Sequence, residues 1–437
     1  MEISLSQHLI LFILSTKMSW DVIVVGAGAA GMMAAIRTSK RGLRTLLLEK
    51  NPRPGVKILM SGGTRCNLTQ ATDARGIVEA YGPPGRFLHS ALAALSPDDL
   101  IAWFAAEGVP TKVEETGKVF PVSDRAADVV AALRAKLGEN DCQLQLDEPV
   151  RTITQVDQGF TVRTPKSDYE AKNLIVTTGG KSYPGSGTTG DGYAWLKSLG
   201  HTIVTPRPSL TPVTTEVSWV AKLKGLTIPR VSVAVVPKVG KPLGESAGKQ
   251  KPLAEACDSF LFTHFGLSGP AVLDVSRAIT GCSQPKELAL RCDFIVDKKF
   301  EGLLDELRAA CQAHGKKQIV TLLPQWIPRR LAETFVELLG LNERRAAELS
   351  KQQLRKLANA LKETHIPVSG TRGFKKAEVT AGGVALPEVN SSTMESKLVK
   401  GLYLAGEILD LDGPIGGYNF QAAFSTAWLA GKSIGNG

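Results

Sequence analysis

Six cysteines are scattered through the 437 residues with no C-x-x-C pair and no Cys/His cluster at zinc spacing, so neither a disulfide framework nor a metal site is expected. A reducing, cytoplasmic setting follows. Internal repeats and low-complexity tracts are also missing. The leading apolar run, HLILFILS, falls far short of the ~20 residues that cross a bilayer, so no membrane partner is expected. Its n-region, MEISLSQ, has no positive charge, and no A-x-A-like cleavage site precedes Met18. Residues 1–17 therefore read as a leader outside the fold, disordered or mis-started, with MSWDVIVVG as the natural beginning.

What is present points to a large, water-soluble enzyme. With 43% hydrophobic and 22% charged residues, the chain can bury two or three domains. In DVIVVGAGAAGMMAAIRTSKRGLRTLLLEK, residues 22–25 make a short apolar run of the kind a buried parallel strand shows. Gly26, Gly28 and Gly31 follow as G-x-G-x-x-G, with Ala29 and Ala30 between the last two. These glycines serve a tight turn, close approach of backbone N–H groups to a pyrophosphate, and close packing of helix on sheet. The next strand ends in Glu49 and Lys50, which places a carboxylate where it can accept hydrogen bonds from ribose hydroxyls. Dinucleotide binding is the reading.

Two further glycine-rich strand ends decide between FAD and a nicotinamide cofactor. KNLIVTTGGKSYP runs a strand into Thr178, Gly179 and Gly180. GLYLAGEILDLDGPIGGYNFQ runs another into Gly406 and Glu407, and a Gly416-Gly417 turn then opens a helix near Tyr418, Asn419 and Gln421. A second helix N-terminus aimed at the cofactor suits a flavin. Three such ends separated by long stretches look like a two-dinucleotide-type flavoprotein. No second G-x-G-x-x-G unit is available for NAD(P)H, so that reductant is expected to meet the flavin directly. The loop KILMSGGTRCNLT then returns across the cofactor: Lys57, Ser61, Gly62 and Gly63 are expected against the flavin, and Arg65, Cys66 and Asn67 on its active face.

GAGAAG, KILMSGGTRCNLT, FTHFGLSGPAVL, AEVTAGGV and the stretch 401–431 together resemble the BaiN/RdsA family of bacterial FAD-binding flavoproteins, over nearly the whole chain from Met18. Thr64 stands where that family often reads glycine. The resemblance implies an α/β fold with a discontinuous, Rossmann-like FAD domain, an inserted small β-barrel plus helical bundle, and flavin-dependent reduction. One branch looks like a dihydrouridine synthase of large-subunit ribosomal RNA, and others reduce small molecules. For uridine, hydride from reduced flavin reaches C6 and a positioned acid protonates C5. Cys66 is the first candidate acid and His264 the second. Arg65 and Asn67 are candidates for the uracil carbonyls or the flavin, and Tyr418 and Phe265 for stacking on a base or for core packing.

The layout expected is a leading FAD-binding segment at 18–208, a β-barrel subdomain at 209–297, a helical subdomain at 298–372 and a closing FAD-binding segment at 373–437. Ser96, Pro97 and Asp99 mark one helix start, and Ser350 with Gln353 another. Charge divides along the same line. Residues 211–376 carry 26 Lys and Arg against 16 Asp and Glu, the whole net +10, while the rest balances at 26 of each. A basic region beside a redox centre favours a polyanion such as ribosomal RNA. The alternatives are solvated cations kept for solubility, with a small unsaturated or quinone-like substrate.

Overall fold

The computed structural model describes residues 19–435 apart from 247 and 249; the expected leader at 1–17 lies outside these. The chain divides into two units, one running to Pro206 and resuming at Val379, the other Arg207–Glu378.

The first unit is built on a seven-stranded sheet. Its strands β1 (Ser19–Val25), β2 (Thr45–Leu48), β3 (Gln143–Gln145), β4 (Thr152–Val156), β5 (Gly159–Arg163) and β6 (Asp168–Val176) are joined by Leu402–Leu404 from the far end of the chain. The order is β3-β2-β1-β6-β5-β4, and Leu402–Leu404 also pairs with β6. β1 runs parallel to both β2 and β6, with Val22 opposite Thr45 on one side and Asn173 on the other. On the edge away from β1, β6 is long enough for two partners: its first half pairs antiparallel with β5, and its second half parallel with Leu402–Leu404. Val22, Ile23, Val24, Leu46 and Leu47 are wholly buried, as strands covered on both faces must be. The covering helices include α1 (Ala29–Ser39) and the C-terminal helix Tyr418–Ser433. Pro206 and Pro208 lie in Ile203–Ser209, which forms only a two-stranded sheet with Val379–Val384. Prolines are tolerated where the ladder has a free edge.

The second unit holds a seven-stranded antiparallel sheet whose longest members are Thr227–Pro237, Ala254–Thr263 and Leu288–Asp293. The path begins with Thr364–Pro367 and ends with Gly370–Thr371. Only two residues of chain separate these end strands, so the sheet curls back on itself. Helices Phe300–Ala313, Arg329–Leu338 and Lys351–Lys362 fall where their three-four apolar spacing puts them, and Ser350 and Gln353 form the anticipated capping box. One hydrophobic core, from Val213 to Val368, takes in sheet and helices alike, because the helices bury their apolar faces on the sheet. The segment 209–297, expected as a β-barrel subdomain, also contains helix. Pro270–Thr280 is a helix with proline in its first turn and Ala271, Val272, Val275 and Ile279 buried at helical spacing.

Candidate functional site

The three glycine-rich strand ends of the first unit meet. Thr177, at the end of β6, donates its hydroxyl to the carbonyls of Val25 (2.9 Å) and Gly26 (3.0 Å), locking the second end onto the first. A Cβ on Gly406 would stand 2.9 Å from the Cβ of Ala30 in the first turn of α1, so the third end packs there as well. Within the fingerprint, two glycines have opposite reasons. A Cβ on Gly31 would fall 1.7 Å from the carbonyl oxygen of Gly26, a position only glycine can fill. A Cβ on Gly28, the N-cap of α1, would meet nothing within 4 Å, and no described side chain caps this terminus. The helix therefore offers open backbone N–H groups and a positive dipole end to whatever occupies that space.

Glu49 is buried and already holds the turn in place. One carboxylate oxygen accepts the Ala27 N–H at 2.7 Å and the other the Asn51 N–H at 2.9 Å. A carboxylate oxygen accepts more than one bond, so capacity for ribose hydroxyls remains. Lys50 turns elsewhere, to Asp191 (2.5 Å) and Thr189 (2.6 Å).

A polar knot ties the remaining segments. The Lys57 ammonium pairs with Glu407 at 2.5 Å and donates to Ser182 at 2.9 Å. Glu407 also accepts the Ser182 hydroxyl (2.7 Å) and the Thr380 N–H (2.9 Å), while the Thr380 hydroxyl receives the N–H groups of Lys181 and Ser182. Gly180 sits against this knot, where a Cβ would meet the Thr380 hydroxyl at 2.3 Å. Ser182 and Thr380 are not legible as site residues from sequence, since their partners lie some 200 positions away.

The loop 57–69 divides into two faces. Gly62, Gly63 and Thr64 are exposed and all three have positive φ, at 54°, 66° and 72°. Thr64 thus holds a left-handed conformation that a β-branched residue seldom adopts. Ser61 donates to the Ile58 carbonyl at 2.8 Å. Cys66 lies on the other face: it is fully buried in the core with Ile58 and Leu68, and burial pushes its thiol up to about 12 despite a hydrogen bond with Ser61. The thiol stays protonated at neutral pH and packs as a small hydrophobe. Arg65 spans Glu114 (2.6 Å) and Asp124 (3.4 Å) and lies 4.0 Å over the Phe120 ring. Its hydrogen bond with Glu114 raises its basicity against the effect of burial. The buried Asn67 accepts the Val119 N–H at 3.2 Å. These partners, from residues 111–124, engage Arg65 through one guanidinium nitrogen and Asn67 through its side-chain carbonyl.

At the opening of the last helix, Gly417 has φ 95°, and a Cβ there would lie 2.4 Å from the Thr69 carbonyl. Asn419 folds back onto its own loop, donating to the Gly413 carbonyl (3.0 Å) and accepting its N–H (2.9 Å). The half-buried Tyr418 packs beside Gly416, and its carbonyl accepts the Tyr81 hydroxyl at 3.1 Å. Gln421 points inward, donating to the Leu95 carbonyl at 3.1 Å. Burial raises the Tyr81 and Tyr193 hydroxyls well above the usual phenol range, helped by the nearby Glu407 carboxylate.

Buried polar atoms without partners test whether a dinucleotide fits here. The Thr178 hydroxyl, the Thr69 hydroxyl and the Gln421 side-chain carbonyl have none among the described residues. They belong to the second strand end, to the backbone under Gly417, and to the helix that Gly417 opens. Leaving such groups buried and unpaired costs about 1–3 kcal/mol each, so a polar ligand along these ends fits the residues present. His264 and Phe265 belong to the second unit. His264 is exposed where Ala254–Thr263 turns into Gly266–Ser268, edge-on to Phe265 at 5.0 Å, and Arg372 lies 4.4 Å over Phe265.

A sheet with a parallel core, G-x-G-x-x-G after its first strand, an acidic residue after its second, and two more glycine-rich ends beside them defines a Rossmann-type dinucleotide-binding protein. Residues 20–433 match the family model described as "HI0933-like protein Rossmann domain", and the chain belongs to this family, the BaiN/RdsA group that its motifs indicated. The chain is 32% identical over 418 residues to the "Ribosomal RNA dihydrouridine synthase" of Haemophilus influenzae, covering 94% of this chain and 98% of that one. The Escherichia coli protein of the same description is also 32% identical, over 95% of this chain and 98% of its own. At the same 32% identity stands the "3-dehydro-bile acid delta(4,6)-reductase" of Clostridium scindens, over 94% of this chain and 98% of that protein. Among the described residues no helix is long and apolar enough to cross a membrane, and no His/Cys/Asp/Glu group is arranged to hold a metal ion.

Proposed function

We propose that this protein is an FAD-dependent reductase that converts a uridine of large-subunit ribosomal RNA to dihydrouridine. The N-terminus of α1 at Gly28 would hold the pyrophosphate, Glu49 the ribose, and Thr69, Thr178 and Gln421 the groups that satisfy their unpaired atoms. Gly62, Gly63 and Thr64 would face the ring. Bound and reduced, the flavin supplies a hydride for an electron-poor carbon such as uracil C6, with NAD(P)H restoring it from solution. This chain's own residues must then hold the extruded base and bring a proton to C5.

His264, an exposed imidazole, is proposed for that role, and Cys66, buried in the core, is read as a packing residue. Substitution separates them. Cys66→Ala should leave the flavin spectrum intact; if product formation is also unchanged, Cys66 is a packing residue. His264→Asn should slow product formation without changing flavin binding. The curled sheet and the helices Phe300–Ala313, Arg329–Leu338 and Lys351–Lys362 of the second unit are read as the small barrel and helical bundle of this family.

Relatives of equal identity carry two different substrate names, so sequence distance does not choose between them. Charge supports the RNA reading. The excess of ten positive charges lies entirely within residues 211–376, an arrangement that lowers the cost of approaching a polyanion and offers nothing to a neutral small molecule. A cytoplasmic location goes with that substrate. The test is mass mapping of dihydrouridine in ribosomal RNA from a deletion strain and its complement. A uridine-derived mass shift of two hydrogens should vanish and return; its persistence without the protein overturns the reading. The second reading, NAD(P)H-dependent reduction of a small unsaturated or quinone-like compound, is favoured by the Clostridium scindens relative. It requires turnover of an enone or quinone at rates that RNA does not elicit.

A further inference from the structure

Many cations of the second unit are already spoken for. Lys222 pairs with Glu337, Arg230 with Asp297, Arg308 with Asp305, Arg329 with Glu333 and Lys362 with Asp293. Lys316, Lys317, Arg344 and Arg345 differ. All four are exposed, and none has an ion-pair partner among the described residues.

The backbone brings them together. The Ile319 N–H donates to the Arg344 carbonyl at 3.0 Å, the Ala346 N–H to the Lys317 carbonyl at 2.8 Å, and the Ala347 N–H to the Gly315 carbonyl at 3.1 Å. Gln318 and Arg345 are antiparallel bridge partners. Ile319, Leu341 and Ala346 are buried in the core beneath, which fixes both segments to the helices. Gly315 is pressed against the neighbouring segment, since a Cβ there would lie 3.0 Å from that of Ala347. Four basic side chains thus project from one rigid two-segment platform. Two carboxylates are nearby in sequence: Glu348 is engaged by the Arg345 N–H at 3.1 Å, and Glu343 is exposed. The cations outnumber them.

We propose that this platform docks the phosphate backbone of the RNA substrate, an inference that rests on the RNA reading above. A cation with no internal partner gives up no ion pair when it meets a phosphate, and each contact releases condensed counterions. A rigid backbone means that only side chains need to be ordered on binding. Contacts of this kind set register and orientation without reading sequence, and the two arginines add forked, bidentate donors.

The test measures binding of a large-subunit ribosomal RNA fragment by fluorescence anisotropy across a salt series. It compares the full-length flavoprotein, the variant K316Q/K317Q/R344Q/R345Q, and the charge-keeping variant K316R/K317R/R344K/R345K. The glutamine variant should lower the magnitude of the slope of log K against log salt by about 3, from roughly 0.7–0.9 for each phosphate no longer neutralised. It should bind all fragments more weakly by a similar factor, with Tm and flavin spectrum unchanged. The charge-keeping variant should retain the slope. A glutamine variant with the unaltered slope overturns the platform while leaving uridine reduction standing, and so does a charge-keeping variant that loses the slope equally. Unsubstituted protein that fails to bind RNA overturns the RNA reading and the platform with it.

Discussion

The two units solve opposite problems. The first is electrically balanced and keeps buried polar atoms unpaired at Thr69, Thr178 and Gln421, around glycines placed for close approach. The second carries the charge excess of the chain, most of it on paired or exposed side chains around one continuous core of sheet and helices. A site for a polar cofactor is recognised by what the fold leaves unsatisfied, and a surface for a polyanion by which charges it leaves unpaired. The same kinds of residue serve both ends, and their partners decide which.

The largest effect that would sharpen this contrast is at Gly31. Gly31→Ala places a methyl group 1.7 Å from the Gly26 carbonyl oxygen. It should cost about 3 kcal/mol or more and abolish cofactor retention, read by thermal unfolding and by flavin absorbance in the purified protein. Glu407→Ala comes next. It removes the acceptor of Lys57, Ser182 and Thr380 together, and about 2 kcal/mol of stability should be lost in denaturant titration, with the first unit unfolding more readily than the second.

Caps come third. Ser96→Ala in the first unit and Ser350→Ala in the second should each cost about 1 kcal/mol, and only stability, not flavin content, should change in the latter. The Ser96 cap also carries a pH signature. Hydrogen bonds from the Ser96 side chain and backbone hold Asp99 below its ordinary 3.8. Its contribution is therefore complete above the ordinary carboxylate range and is lost as pH falls through and below it. An Asp99→Asn variant should show a shallower loss of stability in acid than the parent protein.

Smallest is Thr64→Gly. Relief of the left-handed strain at φ 72°, about 1–2 kcal/mol, is partly offset by glycine's extra unfolded-state freedom, leaving a gain of roughly 0.5 kcal/mol in chemical denaturation. A loss of stability on this substitution would mean that the threonine hydroxyl is needed there.

These contrasts also mark how far the sequence can be read. The first βαβ unit and the capped starts at Ser96 and Ser350 rest on spacings of a few residues, and each stands where its spacing puts it. Pro270–Thr280 is hidden by its β-branched residues, which suit a strand as well as a helix until tertiary packing chooses. In the site, the glycines are legible because backbone sterics is local. The side chains are less so: Arg65 meets Glu114 and Asp124, and Gln421 meets the Leu95 carbonyl, across separations that no spacing rule spans. Asn419, expected to face the cofactor, also braces its own loop at Gly413, which no spacing reveals.

The most direct test of the account is reconstitution with FAD of the unsubstituted chain beside Gly28→Ala, the one fingerprint substitution that meets no protein atom within 4 Å. The account predicts that the unsubstituted chain takes up one FAD per molecule, while Gly28→Ala folds with an unchanged Tm and binds FAD at least roughly tenfold more weakly, a loss of about 1.4 kcal/mol. An unsubstituted chain that stays colourless, or a Gly28→Ala variant that binds FAD as tightly as its parent, would contradict it.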